Sequence, residues 1–510
     1  MAPISGKQYW PILLAMFALA CLLSASSVVA ADDAPLADAA EKKDVATVRS
    51  LLKRRVDVNQ RQVDGMTALH WAAYHDDLAT TQLLIDAGAD VKAANRYGVT
   101  PLSLACTNGN AAMVDLMLKA GADPNTALRG GETVLMTAAR TGKLGPVKSL
   151  LARGAKVNAR EWKRQTALMW AAADGHAKVV ETLIKAGADF QSPLDSGFTP
   201  LFFAVREGRG DVVQVLLKAG AEVNGVMRPR KPAGKAPRTG TSPLVLAVEN
   251  GHFDLAVALL AAGADPNDQR SGFTPLHVMV WVRKPNRGDG PDGDPAPLGS
   301  GNLSSLQFVR KLVAHGAKVN TQLKKGKSRW GHINKTGATP LLMAAKTADV
   351  PFMKLLVELG ADPLLAKADG CTPLMMAAGV GTRAPVEEAG TEQEAIAAVK
   401  LALKLGGDVN AVDKRGETAM HGAAYKSFPK VVQLLAERGA KIEVWNRKNK
   451  SGWTPLLIAE GHRPGNFKPS AETVAAIHRV MLAAGVTPPE PTPRKTPKGY
   501  KQAGSAQKSP

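Results

Sequence analysis

Residues 286–302 read NRGDGPDGDPAPLGSGN and interrupt an otherwise regular chain. Asp289, Asp292 and Asp294 offer the oxygen ligands that calcium takes, but their spacing is not that of an EF-hand loop and no glutamate closes one. Arg287-Gly288-Asp289 has the composition of a cell-attachment tripeptide; in a Gly/Pro/Asp-rich loop such a short match is expected to be incidental. His70, His277 and His421 each stand fourth in a recurring seven-residue segment (TALHWAA, TPLHVMV, TAMHGAA), and His176 and His252 each follow a glycine. Such fixed places predict structural histidines held by local hydrogen bonds. The sequence contains no H-E-x-x-H, paired C-x-x-C, C-x-x-C-H, G-x-S-x-G or Walker-type phosphate loop. The expectation is a non-catalytic chain with no metal and no cofactor.

The chemistry that remains is recognition. The 510 residues include 65 Lys and Arg against 45 Asp and Glu, a formal charge of +20. That balance suits an acidic or anionic partner and says nothing about fold. Hydrophobic residues make up 45% of the chain and aromatics only 5%, which points to small residues on closely stacked helices.

The elements that position these groups come from an internal repeat. TALHWAA (Thr67), TPLSLAC (Thr100), TVLMTAA (Thr133), TALMWAA (Thr166) and TPLFFAV (Thr199) begin 33 residues apart. Further copies begin at Ser242, Thr274, Thr339, Thr372, Thr418 and Thr454. Threonine caps a helix N-terminus, and proline suits the first turn, where its missing N–H has no partner in any case. A second apolar stretch at helical spacing follows each opening and ends in GAD-x-N or a close variant, whose glycine predicts a left-handed helix cap. The short polar stretch after it predicts a hairpin-like finger leading to the next copy.

This pattern resembles the ankyrin repeat in both period and the T-P-L-H-x-A opening, over roughly residues 33 to 488. The resemblance implies an all-α solenoid of about 12 helix-turn-helix units with hairpin-like fingers. Residues 31–64 are expected to form an N-terminal capping repeat that keeps the second helix but lacks the TPLH opening. Repeats then fill 65–451, a C-terminal capping repeat fills 452–488, and 489–510 form a basic Pro/Lys tail expected to be disordered. Extra residues fall near 226–239, 283–302, 321–336 and 380–394. The spacing of 65 between Thr274 and Thr339 is nearly two periods, but only GSG separates Leu298 from Asn302, too little for a helix. Residues 286–302 are therefore expected to be a flexible inter-helix insertion, at the edge away from the fingers.

In ankyrin proteins partners usually sit on the fingers and the concave helical face. Here the fingers join basic groups to tryptophans: Trp162, Lys163 and Arg164; Arg228, Arg230 and Lys231; Lys324, Lys325, Arg329 and Trp330; Trp445, Arg447 and Lys448. Rigid aromatics beside cations make a plausible anchor set. The resulting expectation is a scaffold binding a protein partner, with an anionic envelope polymer held by basic fingers and tail as the alternative. Cys106 takes a helix-packing alanine position and is expected to be buried, whereas Cys371, at a repeat junction, is expected to be a surface thiol. Six repeats apart, they lie on the order of 60 Å from each other at about 10 Å per layer. No bridge is expected, since a disulfide needs Cα atoms within about 7 Å.

Residues 1–30 read as a signal peptide: Lys7, then the apolar run Trp10 to Leu23, then Val28 and Ala30 as small residues before a cleavage site. The expected location is exported, periplasmic or extracellular, like bacterial envelope ankyrin proteins. The mature chain then has no transmembrane span, and export argues against nucleic acid as a partner.

Overall fold

The computed structural model describes residues 34–230, 239–285, 295–324, 335–382, 388–463 and 468–491. The proposed signal peptide, and the proposed tail beyond residue 491, therefore lie outside the described residues. The described elements are helices, with one isolated bridge between Ala127 and Thr133. They form two compact units: one runs to Asp265 and includes Gly299–Gly301, and the other takes in Pro266–Leu298 and the chain from Asn302 onward.

The first unit contains seven helix pairs. Its inner helices are Pro35–Glu41, Ala68–Tyr74, Pro101–Asn108, Val134–Thr141, Ala167–Asp174, Pro200–Arg206 and Pro243–Glu249. The outer helices Val45–Lys53, Leu78–Asp86, Ala111–Lys119, Leu144–Ala152, Ala177–Lys185, Gly210–Lys218 and Phe253–Ala261 pack behind them. The threonines cap as the sequence predicts: Thr100 Oγ1 accepts from the Ser103 N–H at 3.2 Å, and Thr166 Oγ1 from that of Met169 at 3.4 Å. Small residues such as Ala72, Ala105, Ala138 and Ala171 are fully or almost fully buried, letting successive inner helices approach closely.

The N-terminal repeat has both of its helices although it lacks the TPLH opening. Pro35 opens the first helix and Leu36, Ala37, Ala39 and Ala40 are buried, but Ala34 replaces the threonine and supplies no side-chain cap. Packing against the next inner helix sustains a helix whose opening signal is degraded.

Four of the outer helices in this unit are tied to the next by an asparagine of the GAD-x-N segment or its variants, a place that Lys92 and Gln191 take in the other two. Asn158 Nδ2 donates to the Gly187 carbonyl at 3.0 Å, and its Oδ1 accepts from the Asp189 N–H at 2.8 Å. Asn59, Asn125 and Asn224 make the same pair of bonds one repeat onward in this unit. At these four junctions one amide thus satisfies a carbonyl and an N–H just past a helix end, where the backbone lacks intrahelical partners.

The second unit contains five pairs: Pro275–Arg283 with Ser305–Ala314, Pro340–Lys346 with Val350–Glu358, Pro373–Ala378 with Glu392–Lys404, Ala419–Lys426 with Pro429–Glu437, and Pro455–Ala459 with Ala471–Ala483. A short helix, Ile442–Trp445, precedes the last pair. The chain between Pro275–Arg283 and Ser305–Ala314 carries no further helix among its described residues, and these two helices pack against each other, the arrangement expected of an insertion within one pair. Part of that insertion is docked and not free. The Ser300 N–H donates to His252 Nδ1 at 2.9 Å, and a Cβ on Gly299 would fall 1.8 Å from the Gly251 carbonyl oxygen. The Asp and RGD residues 287–294 lie outside the described residues. In the tenth pair Thr391 forms a capping box with Glu394, so the helix begins at Glu392 and the insertion ends sooner than the pattern suggests.

The cysteines divide. Cys106 is buried as expected, but Cys371 is also 0% exposed, which corrects the expected surface thiol. Its backbone N–H donates to Asp369 Oδ1 and its carbonyl accepts from the Lys367 N–H, so the finger turn folds its side chain inward. Both are free thiols, and burial pushes each pKa up, that of Cys106 to about 12.

Candidate functional site

Five fingers of the first unit are tight five-residue turns. The N–H of the first residue donates to the carbonyl of the fifth: Gln62 to Met66, Asn95 to Val99, Leu128 to Glu132, Glu161 to Gln165 and Leu194 to Phe198, at 2.8 to 3.1 Å. Neighbouring fingers are joined edge to edge, by Arg96 N–H to Asp64 O, Trp162 N–H to Gly130 O and Arg230 N–H to Asp195 O. The fingers therefore hold their side chains in a ladder and not on separate loops.

The residue two before each capping Thr or Ser is glycine at Gly65, Gly98, Gly131, Gly197, Gly240, Gly272, Gly337, Gly370, Gly416 and Gly452, all at positive φ. In the finger 161–165, EWKRQ, that place belongs to Arg164, at φ 67°. A side chain in this left-handed region costs about 1–2 kcal/mol relative to ordinary backbone. Glu161 offsets part of that strain. Only 6% exposed, it accepts from the Lys163 N–H through Oε2 and from the Gln165 N–H through Oε1, both at 2.9 Å. Asn95 does the same for Tyr97 and Val99 in an ordinary finger.

The strained turn projects Trp162, 76% exposed, with Lys163 Nζ 4.9 Å from its ring. A groove of about 440 Å³ on one side is lined by Trp162, Lys163, Arg164, Phe198, Phe203 and Arg206, among others. A second, of about 400 Å³, is lined by Trp162, Tyr97, Arg129, Glu132 and Trp170, among others. Trp162 and Lys163 border both. The walls are fixed: Trp170 Nε1 donates to Gln165 Oε1 at 3.0 Å, the Arg140 guanidinium lies 5.0 Å from the Trp170 ring, and that of Arg206 lies 5.2 Å from Phe198 and 5.3 Å from Phe203.

The structure thus groups some of the expected residues and separates others. Trp162, Lys163 and Arg164 are exposed together on one finger. Arg228 and Arg230 are exposed two fingers on, with Arg230 in an ion pair with Asp195 at 3.3 Å. In the second unit Lys324, Arg447 and Lys448 are exposed. Trp445 is the correction: at 1% exposure it is a core side chain of the helix Ile442–Trp445 and offers no face to a partner. Lys231, Lys325, Arg329 and Trp330 lie outside the described residues. Tyr97, Trp170, Phe198, Phe203, Arg129 and Arg206 join the expected residues at this surface. Trp170 and Phe203 hold the fifth place of their openings, and a comparison of that place across copies would have found them.

The histidines serve the scaffold. The Thr67 N–H donates to His70 Nδ1 at 3.2 Å, which leaves Nε2 to donate to the Val99 carbonyl at 3.1 Å. His277 pairs through Nδ1 with the Thr274 hydroxyl at 2.7 Å and through Nε2 with the Ala338 carbonyl at 3.1 Å. Burial pushes the pKa of His70, His277 and His421 down to about 4. His176 and His252 bond through Nε2 to the carbonyls of Arg140 and Arg206, each one repeat earlier. Among the described residues no group of three or more His, Cys, Asp or Glu could hold a metal, and no helix is long and apolar enough to cross a membrane.

Residues 36–128, 120–193, 135–226 and 389–467 match the family "Ankyrin repeats (3 copies)", and 239–270 and 336–368 match "Ankyrin repeat". The chain belongs to the ankyrin-repeat family. Curated relatives include "Ankyrin repeat and SOCS box protein 6" from Homo sapiens, 29% identical over 205 residues, and its counterpart from Pongo abelii, 26% identical over 205 residues. Each match covers 38% of this chain and 44% of the relative. Ankyrin repeats are protein-binding scaffolds and typically non-catalytic, and the surface around Trp162 brings apolar, cationic and concave features together.

Proposed function

We propose that this chain is an exported ankyrin scaffold that holds a protein partner on the first unit, with the Trp162 finger and its two grooves as the contact. The observation that carries the reading is Trp162 itself: a large aromatic, 76% exposed, set on a strained turn between two lined grooves. Exposed tryptophan flanked by arginine is the residue chemistry that dominates protein interfaces. Export rests on the N-terminal pattern, Lys7 followed by the apolar run to Leu23 and the small residues Val28 and Ala30.

The test is affinity capture from the native source with the mature chain and with Trp162→Ala. One protein retained by the parent at high salt and lost by the variant is the expected result; equal retention by both removes this surface from the account. A basic envelope-polymer surface would instead retain mixed anionic polymers and release them as salt screens exposed charge. For export, the mass of the mature protein is expected to place its first residue at Ala31, and an intact residue 1–30 segment on the mature protein would overturn it.

A further inference from the structure

The charges around Trp162 are not evenly spent. Every acidic group there has a partner: Glu161 is taken up by its own finger's N–H groups, Asp195 pairs with Arg230, and Glu132 accepts from Thr137 Oγ1 at 3.1 Å. Lys163 Nζ and the Arg164 guanidinium make no hydrogen bond or ion pair among the described residues, and both line the larger groove. Beside these cations the lining is aromatic, with Phe198, Phe203 and the exposed face of Trp162.

Arg164 sharpens the argument, because the turn it occupies is built for glycine and receives glycine at every equivalent place before a capping Thr or Ser. Retaining a long cationic side chain against backbone strain, at the lip of a groove, singles out the side chain and not the turn. We propose that Arg164 selects an acidic segment of the partner protein, whose carboxylates meet Lys163 and Arg164 while an apolar side chain packs against Trp162 and Phe203. This rests on the reading of the surface as protein-binding and adds the chemical class of what it binds. A polyanion would use the two cations and leave the aromatic lining idle, which is why the peptide is favoured.

The test is calorimetric titration of the full chain with four probes: a short synthetic peptide bearing phenylalanine flanked by glutamates, the same peptide with lysine for glutamate, polyglutamate, and inorganic polyphosphate. The phenylalanine–glutamate peptide is expected to bind, and Arg164→Gly and Trp162→Ala each to weaken it about tenfold. Lys354→Ala, at an exposed position of the outer helix Val350–Glu358 in the other unit, is expected to leave it unchanged. Arg164→Gly should melt no lower than the parent, so its loss of affinity cannot be loss of fold. Equal binding of the lysine peptide, or undiminished binding by Arg164→Gly, overturns the proposal. Polyglutamate or polyphosphate binding as tightly as the peptide overturns it in favour of a polyanion surface. If no peptide binds while Trp162→Ala still releases a captured protein, the acidic class falls and the protein-binding reading stands. If that release also fails, both fall.

Discussion

The buried histidines make a residue-scale prediction whose sign is fixed by their surroundings. His70, His277 and His421 are held neutral, with pKa values pushed down to about 4 by burial, against about 6.5 in an unfolded chain. Above pH 6.5 both states are neutral and the stabilisation is complete. As pH falls from 6.5 towards 4 the unfolded chain takes up protons that the folded chain refuses, and stability is lost, on the order of 3 kcal/mol per histidine. Below about 4 the loss levels off. Urea midpoints measured from pH 7.5 to 4.5 should fall steadily, and His70→Gln with His277→Gln and His421→Gln should flatten that slope; an equally steep slope in the triple variant would refute the assignment. The thiols give a second check. Cys106 and Cys371 are buried with raised pKa values, so neither should react with a thiol reagent until urea unfolds its unit. The position of Cys106 inside a helix opening made its burial legible in the sequence. Cys371 was misread because junctions are usually open, and only the inward fold of residues 367–371 closes this one.

At the element scale, the helices were legible because one pattern, repeated at 33 residues, specifies cap, first turn, apolar face and terminator together. What escaped were features whose cause lies in the neighbouring repeat. The helix Pro35–Glu41 lacks its cap and survives by packing, Trp445 turns inward where the finger becomes a short helix, and the asparagine of GAD-x-N acts one repeat away from its own position. Replacing Asn158 with alanine leaves the Gly187 carbonyl and the Asp189 N–H to water, which at this exposed site should cost about 1 kcal/mol in a urea titration and speed amide exchange at Asp189. No change in either would mean that the clip is incidental. Arg164 was legible in principle, since lining up the copies shows one arginine in a column of glycines. Its substitution by glycine removes a left-handed side chain, and the first unit should gain about 1 kcal/mol. A loss of stability would show that the side chain supports the turn, and would weaken the case for its role in binding.

At the scale of the whole chain, charge and contact separate in time. A formal charge of +20 attracts an acidic partner from a distance, and that attraction acts on the encounter and is screened by salt. Trp162 and the aromatic lining act only after contact, so they set how long a complex lasts. For the partner retained in the capture experiment, raising ionic strength should therefore slow association several-fold while leaving dissociation nearly unchanged. Trp162→Ala should do the reverse, speeding dissociation about tenfold at a nearly constant association rate. Surface plasmon resonance at low and high salt resolves the two rates. If salt instead accelerates dissociation as much as it slows association, the exposed cations hold the complex together, and the aromatic finger is not its anchor.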